Sequence, residues 1–168
     1  MASHACSRRS TRTLDLNKSP MTAIRLATAA DIPALVPLFD GYRQFYSQPS
    51  DLEVARSFLS ERFARNESVV FIAISESGAA LGFTQLYPMF SSTRAARIFV
   101  LNDLFVAPEA RRKGVANELL AAAESYAAKE GAVRLTLSTA HTNQSAQKLY
   151  EARGWKLEEK FRWYQFAC

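Results

Sequence analysis

The sequence predicts a mixed α/β protein with a central, mostly antiparallel β-sheet of about seven strands, flanked by about four helices. The chain has 168 residues, 48% of them hydrophobic, which suffices for one sizeable core but is short for two ordinary domains. Strand and helix patterns follow one another in the order β-α-α-β-β-β-α-β-α-β-β. A hairpin combined with crossover helices gives a mixed sheet with helices on both faces.

The first half of the chain is predicted to form a strand, two helices and a hairpin. Each helix follows a pair with capping-box spacing, Thr28 with Asp31 and Ser50 with Glu53. Pro37 is expected to delay the regular part of the first helix, because proline lacks a backbone donor. The predicted elements are a strand at 24–27, helices at 38–46 and 52–63, and strands at 69–75 and 80–87 joined by a turn at 76–78.

The second half is predicted to form a long central strand, two helices and three further strands. Pro108 follows the central strand, and Gly131 and Gly154 follow the helices, where glycine readily adopts the left-handed conformation that ends a helix. The predicted elements are a strand at 97–106, a helix from 115 to 130, a strand at 133–138, a helix at 143–152 and two strands within 155–167.

Positive charge is concentrated at the start of the chain. The formal charge is +5, of which the arginines, lysine and single aspartate of residues 1–20 contribute +3, leaving +2 for residues 21–168. A nearly balanced folded part disfavours nucleic-acid binding, which needs a clustered basic face. We predict a disordered tail at 1–20, although its composition also resembles a transit peptide, and one folded domain at 21–168.

Cysteine usage and hydropathy predict a soluble protein in a reducing compartment. Cys6 and Cys168 lie near opposite ends of the chain and suggest no disulfide framework. No run approaches the roughly 18 apolar residues that a membrane helix needs, and no group of residues has the spacing of metal ligands. We therefore predict a cytoplasmic protein with neither a membrane partner nor a metal.

A basic turn containing a glycine links the central strand to the third helix. Gly114 and Ala116 leave room for an anion at the helix start, where unpaired N–H groups and the helix dipole favour negative charge. Arg111, Arg112 and Lys113 add positive charge, and arginine binds phosphate oxygens in pairs. The turn matches neither the Walker A pattern nor the dinucleotide fingerprint. A solvated surface turn would have the same composition.

A second pattern lies on the last predicted helix. Asn143, Ala146 and Tyr150 are three and four residues apart and therefore lie along one helical face, where they can line one ligand. The competing interpretation is that Asn143 caps the helix and Tyr150 packs in the core.

Taken together, the two motifs resemble the signatures of the GNAT superfamily of N-acetyltransferases. The family pattern Arg/Gln-x-x-Gly-x-Gly/Ala corresponds to residues 111–116, and Asn-x-x-Ala-x-x-x-Tyr-x-x-x-Gly-Phe corresponds to residues 143–155. The resemblance extends over 21–168 in element order, but its specific motifs occupy only 104–117 and 143–155.

The resemblance implies the GNAT fold and acetyl-CoA as cosubstrate. It implies that backbone N–H groups from Arg112 to Asn117 bind the coenzyme A pyrophosphate and that the central strand pairs with the pantetheine arm. A family tyrosine on the last helix protonates the sulfur, and Tyr150 matches it. The implied cofactor-binding residues are Leu104, Phe105, Val106, Arg111, Arg112, Lys113, Gly114, Val115, Ala116, Asn117, Asn143, Ala146 and Tyr150.

Asp103 is the candidate base, because the family often places an acidic residue on this strand. A structural hydrogen-bond acceptor is an equally consistent role.

The first two helices of the family form one wall of the acceptor site, so Tyr42, Arg43 and Tyr46 are candidate substrate contacts, with Arg43 suited to a carboxylate. Core packing competes with this role. The stretch also resembles a subgroup with yeast proteins that acetylate histones, polyamines or D-amino acids.

We therefore predict an N-acetyltransferase that transfers the acetyl group of acetyl-CoA to a primary amine of a small molecule or a protein, by direct attack in a ternary complex. We further predict a homodimer without a nucleic-acid partner; the aromatic end at 161–166 either extends the sheet into a partner subunit or packs internally. The alternatives are a non-catalytic acyl-CoA-binding module, which the presence of Tyr150 disfavours, and a nucleic-acid-binding domain, which the charge balance disfavours.

Overall fold

The fold is given by a computed structural model of the chain, which describes residues 22–167. The predicted tail at 1–20, Cys6 and Cys168 lie outside the described residues. Among residues 22–167, no helix combines the length and the apolar character that a bilayer crossing requires.

A single mixed sheet forms the centre of the molecule. Its strand order is β1-β2-β3-β4-β5; the first four strands are antiparallel to their neighbours, and β5 is parallel to β4. The elements are β1 (Ala23–Leu26), α1 (Ile32–Phe45), α2 (Leu52–Ala64), β2 (Val69–Ile74), β3 (Ala80–Ser91), β4 (Ala96–Val106), α3 (Val115–Lys129), β5 (Leu135–Thr136) and α4 (Gln144–Ala152), with 3-10 turns at Ala29–Asp31 and Pro108–Ala110. The predicted fold class is confirmed.

The sheet has five strands within the described residues instead of the predicted seven. The two strands predicted within 155–167 do not form, because a strand requires a hydrogen-bonded neighbour and no other described segment pairs with this one. β5 is also shorter than predicted, since only Leu135 and Thr136 pair with β4. The alternation of apolar residues in these segments predicted an extended backbone, but it did not predict which strand that backbone would pair with.

α1 begins at Ile32, six residues before the predicted start, and contains Pro37. Leu35, Val36, Leu38 and Phe39 are all buried on this helix. Their burial offsets the one backbone hydrogen bond that Pro37 cannot donate, because most helix stability in proteins comes from packing of the apolar face.

The link between α1 and α2 is held by two aspartates that the predicted Ser50–Glu53 capping pair did not include. Asp51 caps α2 by accepting from the backbone N–H groups of Glu53 and Val54 at 3.1 and 2.9 Å. Ser50 instead donates to the buried carboxylate of Asp40 at 2.7 Å, and the Asp51 N–H donates to the same carboxylate at 2.8 Å. This link therefore has a defined conformation at the end of α1.

Helices cover both faces of the sheet, as the element order predicted. Val70 and Ile72 of β2 pack under α1 and α2, whereas Phe71 and Ala73 pack under α3. The alternation follows from the period of two along a strand. The result is two apolar layers, one on each face of the sheet.

Gly82 allows close approach of β3 to β4, and Gly82→Ala is expected to destabilise the fold by about 1–3 kcal/mol. An added Cβ would lie 2.5 Å from the Phe105 carbonyl oxygen and 3.1 Å from the Val106 Cα, which are backbone atoms that cannot move aside. Urea unfolding measures the change. The matched control is Gly41→Ala in α1, whose Cβ would meet only the tip of the Phe105 ring at 3.0 Å. That variant is expected to be near neutral, because alanine also raises helix propensity; equal losses in both variants would contradict the account.

Candidate active site

A cavity of about 250 Å³ opens where β4 and β5 cease to pair. The two strands pair only at Phe99 with Leu135 and Val100 with Thr136. Beyond these pairs, residues 101, 102 and 104–106 of β4 and 137–139 after β5 line opposite sides of the cavity, and the ends of α1 and α4 close it. The lining residues are Tyr42, Phe45, Tyr46, Leu101, Asn102, Leu104, Phe105, Val106, Arg111, Ala116, Leu137, Ser138, Thr139, Asn143, Ser145, Ala146, Leu149 and Tyr150.

Ten of the residues predicted from the sequence lie together around this cavity, although they come from five parts of the chain: α1, β4, the turn before α3, α3 and α4. They are Tyr42, Tyr46, Leu104, Phe105, Val106, Arg111, Ala116, Asn143, Ala146 and Tyr150. The other predicted residues do not line it: Arg43, Asp103, Arg112, Lys113, Gly114, Val115 and Asn117.

The turn before α3 presents a row of backbone donors at the edge of the cavity. Gly114 is the N-cap of α3 with φ +85° and has no side chain that could cap the helix. Within residues 22–167, the N–H groups of 112–117 have no hydrogen-bond acceptor, and the first intrahelical bond of this turn is from Glu118 to the Gly114 carbonyl at 3.1 Å. Unpaired donors at a helix start form an anion-binding site.

Arg111, Arg112 and Lys113 are all exposed, and the Arg111 side chain folds back over the end of β4. The Arg111 Nε donates to the Val106 carbonyl at 3.1 Å, and its guanidinium lies 5.8 Å from the centroid of the Phe105 ring. This fixed position directs one positive charge at the cavity. Arg112 and Lys113 supply charge around its mouth.

Tyr150 and Asn143 project from α4 toward the same cavity. Asn143 caps α4, its side-chain oxygen accepting from the Ala146 N–H at 3.3 Å, so capping and cavity lining occur in one residue. The Tyr150 ring is tilted against Trp155 with centroids 6.0 Å apart. Burial raises the pKa of the Tyr150 phenol, and the nearby Tyr46 raises it further by a smaller amount. The phenol therefore stays protonated at neutral pH.

Asp103 lies behind the cavity, with 2% of its surface exposed. Its carboxylate accepts from Gln85 Nε2 at 2.7 Å and from Asn102 Nδ2 at 3.0 Å. Burial raises the pKa of Asp103, although its hydrogen bonds act in the opposite direction. Tyr42 lines the cavity beside this carboxylate. Burial raises the pKa of Tyr42, and the negative charge of Asp103 raises it further. Asp103 thus reaches the cavity through Tyr42 and Asn102.

Comparison with known sequences identifies the family. The sequence model of the acetyltransferase (GNAT) family matches residues 34–155. The chain belongs to the GNAT acetyltransferase family. Proteins of this family transfer acetyl groups to amines, and this chain is accordingly an acetyltransferase.

Several relatives resemble this GNAT protein over most of their length. An uncharacterized N-acetyltransferase of Bacillus subtilis, YhfO, is 50% identical over 141 residues, which is 84% of this chain and 94% of the relative. The crystal structure of a probable acetyltransferase superimposes with a TM-score of 0.83 at 42% identity, covering 87% of this chain and 97% of that one. Aminoglycoside N-acetyltransferase AAC(6')-Iy in complex with CoA has a TM-score of 0.74 at 21% identity, covering 91% and 99%, and shows the shared fold.

One predicted acceptor contact of this GNAT protein has other partners. The Arg43 guanidinium lies 3.3 Å from the Asp40 carboxylate and 3.3 Å from the Asp51 carbonyl, and it does not line the cavity. Spacing along α1 placed Tyr42, Arg43 and Tyr46 at one end of the helix but did not reveal which of them Asp40 binds. The structure brings only the two tyrosines to the cavity.

Asn102, Ser138 and Thr139 also line the cavity of this GNAT protein, although neither sequence motif contains them. Asn102 precedes the candidate base on β4. Ser138 and Thr139 follow β5, a strand parallel to β4, and residues after neighbouring parallel strands meet at one edge of a sheet. Their place at the end of the predicted strand 133–138 was therefore the sequence feature that could have identified Ser138 and Thr139.

A group of four side chains joins α3 to α4 in this GNAT protein; we call Asn117, Glu124, Arg153 and Trp155 the α3–α4 clasp. Arg153 forms a bidentate ion pair with Glu124, with Nε to Oε1 at 2.9 Å, and donates to Asn117 Oδ1 at 2.6 Å. Trp155 Nε1 donates to Glu124 at 2.7 Å. The clasp therefore sets the position of α4 relative to the start of α3.

Glu124→Gln is expected to lower the free energy of unfolding by about 1–2 kcal/mol at pH 7, because the substitution weakens an ion pair and its hydrogen bonds at a site where Arg153 is 18% and Glu124 32% exposed. Arg153 lowers the pKa of Glu124 below its ordinary value of 4.5. A depressed carboxyl pKa stabilises the fold above the unfolded value, and that stability is lost as the pH falls through the folded value. The difference between parent and variant in urea unfolding should therefore shrink below about pH 4. A difference that is constant down to pH 3 would show that charge is not its cause.

Proposed function

We propose that this GNAT protein transfers the acetyl group of acetyl-CoA to a primary amine by direct attack within a ternary complex. The observation that carries the proposal is the single cavity to which the start of α3, the unpaired end of β4 and the Tyr150 phenol all have access. An anion site, an extended groove and a proton donor in this order match a diphosphate, a pantetheine arm and a thioester sulfur.

The residues around the cavity fit coenzyme A. The unsatisfied N–H groups of 112–117 suit the two phosphates of the diphosphate, with Arg111 beside them and Arg112 and Lys113 at the mouth. Residues 104–106 have no strand partner on the β5 side, so their backbone groups can pair with the pantetheine amides. Asn143 and Ala146 form the opposite wall. Acetyl-CoA supplies a thioester whose carbonyl carbon accepts the amine and whose sulfur departs.

Tyr150 is the proposed general acid. Its phenol is held by Trp155 in the cavity wall and its raised pKa keeps the proton available at neutral pH. Donation of that proton neutralises the departing thiolate. Retention of a positioned phenol favours an enzyme over the alternative, a non-catalytic acyl-CoA-binding module.

Asp103 is the proposed base, acting through the Tyr42 and Asn102 side of the cavity. A base must be ionised, so the rate should fall at low pH as Asp103 becomes protonated. Because the pKa of Asp103 is raised above its ordinary value of 3.8, this acid limb should lie at a higher pH than an ordinary aspartate would give. Asp103→Asn is expected to remove that limb and to lower kcat/KM by about tenfold, less than a base in direct contact gives.

The pH profile of kcat/KM from pH 4 to pH 9 measures this effect, with Asp40→Asn as the control. Asp40 is also a buried aspartate, but it binds Ser50 and Gln44 away from the cavity, so its variant should keep the limb. An Asp103→Asn profile identical to that of the parent would leave Asp103 as a structural hydrogen-bond acceptor.

Tyr42 and Tyr46 are the proposed acceptor contacts, with their rings 5.1 Å apart at the α1 end of the cavity. Arg43 was the only predicted contact suited to a carboxylate, and its engagement by Asp40 favours an acceptor recognised through amines and hydroxyls. The aminoglycoside activity of the similar-fold AAC(6')-Iy is consistent with such an acceptor.

A screen of coenzyme A release tests the whole proposal, with polyamines, D- and L-amino acids, aminoglycosides and lysine peptides as acceptors. We expect release with at least one amine well above the rate of acetyl-CoA hydrolysis. Coenzyme A binding without release for any acceptor would favour the non-catalytic module, and absence of binding would overturn both. The cytoplasmic location, the homodimer and the lack of a nucleic-acid partner stay predictions from the sequence.

A further inference from the structure

Gln85, a fully buried polar side chain, lies directly behind the candidate base Asp103. The two residues are partners on neighbouring strands, Gln85 on β3 and Asp103 on β4. Apolar residues usually fill buried positions of this kind, because burying an amide costs free energy unless its hydrogen-bonding groups find partners. The packing of the sheet alone therefore does not account for an amide at position 85.

Both ends of the Gln85 amide are hydrogen-bonded. Its Nε2 donates to the Asp103 carboxylate at 2.7 Å and to the Tyr87 hydroxyl at 2.8 Å, which uses both hydrogens of the nitrogen. Its Oε1 accepts from the Ser68 hydroxyl at 3.0 Å. A carboxylate only accepts, so the amide must turn its nitrogen toward Asp103, and Ser68 satisfies the oxygen on the other side.

The Asp103 carboxylate is held by neutral donors. Gln85 binds one carboxylate oxygen, and the Asn102 amide binds the other at 3.0 Å. The Tyr42 hydroxyl of α1 donates to the Asn102 carbonyl at 3.2 Å and faces the carboxylate. Burial raises the pKa of Tyr42 and raises that of Tyr87 to about 12, so both phenols are neutral at pH 7.

Asp103 has no counter-ion among residues 22–167. The ionisable groups around it and its two neighbouring phenols are Tyr42, Tyr46, Tyr87, Tyr150, Arg62 and Glu67. Arg62 and Glu67 lie beyond Tyr87 and form an ion pair with each other. A buried carboxylate without a cation beside it stays ionised through hydrogen bonds to its charged form. Burial raises the pKa of Asp103, and the hydrogen bond from Gln85 is the largest effect that lowers it.

We infer that Gln85 is a positioning residue, which keeps the Asp103 carboxylate ionised and directed toward the cavity side of β4. The inference rests on the proposed role of Asp103 as the base. With one oxygen fixed by Gln85, the other lies at Asn102, which lines the cavity. A base needs both its charge and a fixed direction, and an apolar residue at position 85 would supply neither.

Gln85→Met tests the inference, because it keeps the length of the side chain and removes the amide. The pKa of Asp103 is measured in the full chain from its carboxyl carbon by NMR, with Asp103→Asn for assignment. We expect this pKa to rise by about one pH unit, because the charged form loses a hydrogen bond. The acid limb of kcat/KM should rise equally, a roughly tenfold loss at pH values below the limb, while KM for acetyl-CoA stays unchanged.

Thr84→Val is the matched control. Thr84 is also fully buried, and its hydroxyl donates to the Asp103 backbone carbonyl at 2.9 Å. The variant thus loses a buried hydrogen bond to the same residue without altering the carboxylate, so the pKa of Asp103 should keep its parental value. If Gln85→Met folds poorly, Gln85→Glu keeps the shape of the side chain. It places a second carboxylate beside Asp103, which should raise the limb by more than about one unit.

The two measurements separate failure of the inference from failure of the proposed base. Movement of both the pKa and the acid limb in the Gln85 variants alone supports the inference. An unchanged pKa of Asp103 in these variants, or an equal shift in Thr84→Val, would overturn it and leave the proposed transfer reaction intact. A pKa that moves while the acid limb stays would show that Asp103 is not the base, and the positioning role of Gln85 would fall with it.

Discussion

Tyr150→Phe is expected to lower kcat by about 100- to 10,000-fold, the range that a positioned general acid contributes. The substitution removes one hydroxyl and keeps the ring against Trp155, so the α4 wall of the cavity should retain its shape. Coenzyme A affinity, measured by calorimetry, should change by less than about twofold, because the proposed diphosphate donors lie at the start of α3. The parent enzyme should also keep its rate to above pH 10, since burial raises the phenol pKa from 10.0.

Tyr126→Phe is the matched control for this prediction. Tyr126 is likewise partly buried, but its ring packs against Phe71 and Phe99 on the α3 side of the sheet and does not line the cavity. Its variant should turn over at the parental rate. Steady-state kinetics with a saturating acceptor would contradict the role of Tyr150 if both tyrosine variants kept full kcat.

The glycine turn and the α4 motif could be placed from the sequence because their spacing follows from helix geometry alone. Gly114 precedes the first turn of α3, and Asn143, Ala146 and Tyr150 occur on one face of α4, as 3.6 residues per turn requires. Local rules of this kind do not depend on the rest of the fold. These rules placed the two motifs, and the family resemblance supplied the β4 residues and the α1 tyrosines; together they predicted ten residues that line one cavity.

Arg43, Asp103 and Pro37 show what spacing does not determine. Whether Arg43 faces a ligand depends on Asp40, one helical turn earlier, and on the conformation of the following link. Whether Asp103 contacts the cavity depends on its pairing with Gln85 across the sheet. Whether Pro37 delays a helix depends on how much apolar surface its neighbours bury. These outcomes are set by the folded structure: by the α1–α2 link for Arg43, by a neighbouring strand for Asp103 and by the buried face of α1 for Pro37.

The aromatic end of the chain, residues 156–167, also shows that a sequence pattern does not determine the contacts of a segment. Its alternation predicts strands, yet a strand forms only where another backbone supplies the ladder. The described fold offers 156–167 no such partner, although it leaves the β5 edge open. The sequence pattern therefore favours an extended conformation for this segment but does not specify the backbone with which it would pair.

Gly114→Asp is expected to weaken coenzyme A binding by about 100-fold relative to Gly114→Asn. Asparagine and aspartate both tolerate the left-handed conformation that Gly114 adopts at φ +85°, and a Cβ at this position meets no atom within 4 Å. The two variants should therefore fold alike. They differ by one negative charge, which would lie beside the proposed diphosphate, and like charges a few ångströms apart near a protein surface repel by several kcal/mol.

Calorimetric titration with coenzyme A and with acetyl-pantetheine separates this effect from damage to the fold. Acetyl-pantetheine lacks the diphosphate, so both variants should bind it equally, and raising the salt concentration should narrow the difference for coenzyme A. Equal coenzyme A affinity of the two variants would mean that the phosphates do not lie at the start of α3. Because the path from Gly114 to Tyr150 fixes where the thioester would lie, the roles proposed for Tyr150 and Asp103 would then fail with it.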